Sequence, residues 1–147
     1  MCHFSLNADG FQSNPEIRRV VEKYAMDRAK EKLSRLGFSK FSDTSSQRCY
    51  DYTCERGGDL YYVEVKGTQG PRASVTLTKN EVEHGQKYQQ RSIAVVVHDV
   101  KVAADSGSFR VSGGASRVCL PWILESTALE PIQYKWTVSV CPEPPTT

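Results

Sequence analysis

The segment Tyr61-Tyr62-Val63-Glu64-Val65-Lys66-Gly67-Thr68 constrains this chain more than any other. Its aromatic and β-branched residues read as a strand. Side chains two apart on a strand share a face. Tyr62, Glu64 and Lys66 therefore lie on one side, and Tyr61, Val63 and Val65 on the other. A covered sheet face seldom carries two opposite charges without a reason. A carboxylate that can hold a divalent cation, beside an ammonium that can steady a water or a phosphate, is such a reason. It points to metal-dependent phosphodiester cleavage.

A chain of 147 residues, 39% hydrophobic and 24% charged, suits one globular domain. The net charge of +2 neither requires nor excludes nucleic acid, because a basic groove can sit inside a balanced total. The cysteines (Cys2, Cys49, Cys54, Cys119 and Cys141) are odd in number and scattered, and residues 2–11 lack an apolar secretory core. Both features read as reduced thiols in an intracellular protein, cytoplasmic if bacterial. Neither Cys49 and Cys54 nor His3, His84 and His98 have zinc-ligand spacing. No run of about 18 apolar residues offers a membrane span.

Residues 1–13 read as a loose leader, 14–140 as one domain and 141–147, with three prolines, as a frayed tail. Asn14-Pro15 starts a helix whose apolar positions at helical spacing are Ile17, Val20, Val21, Tyr24, Ala25, Ala29, Leu33 and Leu36, and Gly37 ends it. Phe38–Ser46 reads as a connection. Arg48–Cys54 reads as a first strand and Leu60–Gly67 as a second, joined as a hairpin through a Gly-Gly turn. After a Gly/Pro loop, Ser74–Leu77 reads as a short strand. Thr78-Lys79-Asn80-Glu81 reads as a capping box opening a helix to Gln89 or Gln90, weakened by Gly85. Ser92–His98 is an apolar run, the pattern of a strand covered on both faces. Val100–Val118 shows turn signals at Gly107, Gly113 and Gly114. Leu120–Leu129 reads as irregular or a short helix, and Ile132–Val140 as a last strand or extended tail. The layout is α/β, with a hairpin on one side and a crossover helix leading to a buried strand.

Mg²⁺, for which Mn²⁺ can substitute, takes oxygen ligands and often only one or two carboxylates. Asp51 and Glu64, on the two arms of the hairpin, can converge on such an ion if they face the same side. Lys66 would reach the attacking water or the scissile phosphate. Glu22 borders the apolar stripe of the first helix, where Ala25 and Ala29 permit a close approach to the sheet. Thr68, Gln69, Arg72 and Lys79 lie where backbone phosphates could be held. A blander reading stands beside this one. Glu64 and Lys66 could form an ordinary salt bridge worth about 0–1 kcal/mol, and Asp99-Val100-Lys101 repeats the pattern at a solvated strand end. Tyr50, Tyr52, Tyr61 and Tyr62 read as sheet packing rather than base stacking, and Thr78 and Glu81 as a helix cap.

Four segments in this order resemble a known family: Val21-Glu22-Lys23-Tyr24-Ala25, Tyr50-Asp51-Tyr52, Tyr62 to Thr68, and Leu77-Thr78-Lys79-Asn80-Glu81. They resemble the C-terminal domain of NO VEIN-type proteins, which is similar to the Mrr-like branch of the PD-(D/E)xK restriction-endonuclease superfamily. Leu129-Glu130-Pro131-Ile132-Gln133-Tyr134 resembles the end of that domain, so the likeness runs over about residues 15–137. The resemblance implies a restriction-endonuclease-like core, a central mixed β-sheet flanked by helices. It assigns Glu22 to the helical acid, Asp51 to the motif aspartate, and Glu64 and Lys66 to the acid-x-lysine pair. The backbone carbonyl of Val65 becomes a further metal ligand. Tyr50 stands where the motif has proline. His84 occupies the position four before Tyr88 where a RecB-type helper glutamine would stand.

The expected activity is a Mg²⁺-dependent endonuclease on DNA, double-stranded by preference, in a restriction or defence context with larger multidomain partners. Cutting both strands is simplest for a homodimer. The alternatives are a catalytically silent nucleic-acid-binding module of the same fold, and a protein-interaction domain in which Glu64 and Lys66 are structural.

Overall fold

The structure is a computed structural model and describes residues 14–71 and 74–145. The leader at 1–13 and Arg72 lie outside the described residues. The chain opens with helix α1 (Pro15–Arg35), followed by strands β1 (Ser39–Asp43), β2 (Tyr52–Arg56) and β3 (Asp59–Gly67). Helix α2 (Lys79–Lys87) then leads to β4 (Ser92–Asp105) and β5 (Ser108–Cys119). The strands form one five-stranded sheet in the order β1-β2-β3-β4-β5. Only β3 and β4 run parallel, joined by the α2 crossover, and the other neighbours are antiparallel. The architecture is an α/β mixed sheet flanked by helices, consistent with a restriction-endonuclease-like core.

Local chemistry explains both ends of α1. Asn14 Oδ1 accepts the backbone N–H groups of Glu16 (2.9 Å) and Ile17 (3.3 Å) at the N-cap. At the other end Gly37 takes φ +90°. Its N–H donates to Ser34 O and that of Phe38 to Leu33 O, the paired bonds of a Schellman turn. Ile17, Val21, Ala25, Ala29 and Leu33 form the buried stripe. Gly67 at the end of β3 abuts Val21 and Ala25, so α1 covers the face that carries Val63 and Val65. The Tyr62–Glu64–Lys66 face is turned to α2, whose Glu81 and His84 touch it.

Several segments depart from the sequence reading. Residues 39–43, expected as a connection, form edge strand β1, and Phe41 packs on the Tyr52 ring. The first arm of the hairpin begins at Tyr52, not Arg48, so Asp51 precedes the strand. Ser74–Leu77, expected as a short strand, joins no strand of the sheet. The apolar strand at Ser92 continues to Asp105 and returns as β5 through a two-residue turn, Ser106-Gly107, with φ +47° and +84°. Helix α2 stops at Lys87, two or three residues early. Its Gly85 is there for space: a Cβ would lie 2.9 Å from the Trp122 ring, which folds back over the helix. Residues 132–137 are exposed and belong to no strand or helix, and Val138–Val140 makes a short 3-10 turn, so no last strand forms there. No helix among the described residues is long and apolar enough to cross a membrane.

Candidate functional site

The β2–β3 register pairs Tyr52 with Val63 and then lapses. Asp51 stands where the first strand leaves the ladder. Its N–H donates to Val63 O at 2.8 Å, and its carboxylate Oδ2 accepts the Val65 N–H at 2.8 Å. Two bonds therefore pin Asp51 against the β3 edge, where the side chain replaces a missing strand. N–H and C=O of one strand residue point to the same edge, and alternate residues repeat the direction. Val63 O points toward Asp51, so the Val65 carbonyl is directed to that edge too.

Glu64 and Lys66 emerge beside Asp51, at the rim of a cleft of about 840 Å³. The lining joins Arg18 and Glu22 of α1, Gln47, Arg48 and Asp51 of the β1–β2 connection, Glu64 to Gln69, and Glu81 of α2. The structure thus brings Glu22, Asp51, Glu64, Val65 and Lys66 to one cavity, with Thr68 and Gln69 beyond them. The Thr68 hydroxyl accepts the Gly70 N–H at 3.0 Å and shapes the loop. Lys79 is the exception. It is exposed, pairs with Glu83 at 3.7 Å and is absent from the cleft lining. Its place on the helix turns it to solvent, while Arg18 and Arg48, which spacing did not single out, bring positive charge to the cleft instead.

Glu81 is the residue that the capping-box reading missed. Thr78 does cap α2, its Oγ1 accepting the Glu81 N–H at 3.2 Å. The Glu81 carboxylate, however, goes to Lys66. Lys66 Nζ is 2.7 Å from Glu81 Oε2 and 3.1 Å from Oε1, against 3.3 Å from Glu64 Oε1. The Oε1 contact has hydrogen-bond geometry, while Oε2 meets the ammonium as an ion pair. The presence of Glu81 in the fourth family-like segment was the available signal.

Three carboxylates, Asp51, Glu64 and Glu81, thus crowd one ammonium. Glu64 is 7% exposed, and burial followed by the Asp51 charge pushes its carboxyl up to about 9. Burial also raises Asp51, against the pull of the Val65 N–H and Lys66. Burial works the same way on Glu81, but the hydrogen bond and charge of Lys66 outweigh it and hold Glu81 low. Burial opposes the charge on Lys66, and Glu81 and Glu64 together overcome it, so its pKa rises. The site is ordered as an ionised Glu81–Lys66 pair beside a Glu64 that keeps its proton at neutral pH.

Behind this cluster Tyr50, Tyr62, His84 and Tyr88 stack with ring centroids 4.7–5.2 Å apart. Burial, and then Lys87, lowers the His84 pKa, which suits a neutral ring packed among tyrosines. Tyr52 and Tyr61 are buried on the α1 side. The second acid-x-lysine segment is different: Asp99 is exposed and pairs with its neighbour His98 at 2.5 Å.

Among the described residues no three His, Cys, Asp or Glu side chains converge as a metal cage. A cation here would rest on two carboxylates, a backbone carbonyl and water, an arrangement Mg²⁺ accepts. A carboxyl whose pKa is raised by burial and then by the Asp51 charge also fits such a role, since a cation would favour its ionised form.

The family model for the C-terminal domain of protein NO VEIN matches residues 21–110. No curated protein and no solved structure matches the chain. The matched span runs from α1 into β5 and includes Glu22, Asp51, Glu64, Lys66 and Glu81. Covering more than half of the sequence, it places the chain in the NO VEIN C-terminal domain family.

Proposed function

We propose that this domain is a metal-dependent endonuclease that hydrolyses phosphodiester bonds in DNA. The observation that supports this reading most is the seat of Asp51. Its carboxylate is fixed on the Val65 N–H, next to Glu64 and Lys66, in the lining of a cleft of about 840 Å³. Asp51, Glu64 and the Val65 carbonyl would hold Mg²⁺ or Mn²⁺, which when bound supplies a more acidic water and screens phosphate charge. Lys66 sits beside that point as a fixed positive charge, fit to steady the water or a phosphate oxygen. Glu22 lines the same cleft from α1 and can orient a water. Arg18, Arg48, Thr68 and Gln69 would grip flanking phosphates.

Supercoiled plasmid incubated with the protein should be nicked or linearised with Mg²⁺ or Mn²⁺ and left intact with EDTA. Retention of DNA without cutting under any metal favours the silent module of the same fold. A protein that neither cuts nor retains DNA favours the interaction domain.

Proton release offers a second measurement. Burial and then the Asp51 charge push the Glu64 carboxyl up to about 9, and a metal ligand must lose its proton. Mn²⁺ binding should therefore release about one proton between about pH 6 and 8, and fewer as the pH passes about 9. Calorimetry in buffers of different ionisation enthalpy reads this directly. Uptake of Mn²⁺ without proton release at neutral pH would remove Glu64 from the ligand set.

A further inference from the structure

Lys66 has two carboxylate partners, and they come from different elements. Glu64 is its neighbour on β3, at 3.3 Å, and Glu81 reaches it from the first turn of α2, at 2.7 Å. An ammonium and a divalent cation cannot both take full possession of one carboxylate. How the ammonium is shared between the two carboxylates therefore decides how open Glu64 is to a metal.

We infer that Glu81 is a positioning residue that draws the Lys66 ammonium toward α2 and leaves Glu64 available to a divalent cation. The inference rests on the nuclease reading above and deepens it. The geometry favours Glu81 over Glu64 as the anchor. Its contact is shorter, and both of its oxygens face Nζ. Its backbone is fixed by the Thr78 cap. The Glu81 side chain is 11% exposed, so water competes little for Lys66. Without Glu81, the closest acid left to Lys66 is Glu64, two residues away on the same face.

A mutant cycle read by Mn²⁺ calorimetry tests this without DNA. Glu81→Gln should weaken Mn²⁺ binding about tenfold, because Lys66 falls back on Glu64. In a Lys66→Met background the same change should cost less than about twofold, because no ammonium remains to be misplaced. Equal losses in both backgrounds would mean that Glu81 acts only through its own charge, and would overturn the inference. Glu81→Asp is the second variant, keeping the charge and shortening the reach: a positioning role requires a loss of affinity, and wild-type affinity would overturn it. Thermal melts of each variant confirm that the folded protein is titrated. Wild-type protein that takes up no Mn²⁺ would sink the metal-dependent reading as well, which separates the two failures.

Discussion

Asp51→Asn should reduce metal-dependent plasmid cleavage by roughly a thousandfold, equivalent to about 4 kcal/mol of lost transition-state stabilisation, while leaving the fold intact. The choice of asparagine matters. Asp51 has a structural task as well as a proposed chemical one, because its Oδ2 satisfies the N–H of Val65 at 2.8 Å. Alanine would remove both and leave a backbone donor without a partner at a cost of about 1–3 kcal/mol. Asparagine keeps an acceptor oxygen for Val65 and removes only the charge.

The expected stability effect runs opposite to the effect on activity. Burial raises the folded-state pKa of Asp51 and of Glu64. An acid with a raised folded pKa favours the folded state while protonated. That contribution is full below the unfolded pKa and shrinks as pH climbs toward the folded value. For Glu64 this window ends at about 9. Burial thus works against an ionised Asp51, and without metal Asp51→Asn should melt at or slightly above wild type. Cleavage within about tenfold of wild type, in protein shown free of contaminating nuclease, would exclude Asp51 from the chemistry. A fall in melting temperature would show that the Val65 bond needs the carboxylate itself.

The parts of this site legible in the sequence are those that depend on near neighbours. Alternation along Tyr61–Gly67 put Glu64 and Lys66 on one face, and in the fold both meet α2 on that face. Asn14 and Gly37 marked the ends of α1 because caps are local chemistry. The edge strand β1 was not legible, since Phe41 is its only apolar residue and nothing in it alternates. Strand β5 was hidden by Gly113 and Gly114, which read as a turn but sit inside the strand with φ +70° and +80°, opposite the kink at Asp99. Glu81 was concealed for a subtler reason. A capping box explains a Thr-x-x-Glu segment completely at short range, so the local pattern by itself did not point to a carboxylate partner 15 residues back; the family-like segment was the signal. Glu22 and Asp51 depended on helix docking and hairpin register, which long-range packing decides.

That docking rests on Gly67, and Gly67→Ala should be the most destabilising single-methyl change near the site, costing about 1–3 kcal/mol and lowering the melting temperature by roughly 3–12 °C. Gly67 does not have a left-handed backbone, so space, not conformation, demands glycine. A Cβ at this position would lie 2.7 Å from Ala25 Cβ, 3.1 Å from Val21 O and 3.2 Å from Val21 Cγ1. Carbon atoms pack at about 3.5–4.0 Å, and neither Ala25 Cβ nor a helical carbonyl can rotate away. Helix α1 would have to lift by up to about 1 Å. The same helix places Arg18 and Glu22 on the cleft, so the folded fraction of Gly67→Ala should also cut DNA more slowly. Ala25→Gly in the same chain removes the 2.7 Å contact but loses helix propensity worth about 1 kcal/mol and leaves the Val21 contacts in place. The double variant should therefore recover part of the loss, and its energies should be non-additive, as for residues that touch. A Gly67→Ala melt within a degree or two of wild type, or strict additivity with Ala25→Gly, would show that α1 does not ride on β3 at this point and that Glu22 is not aimed by it.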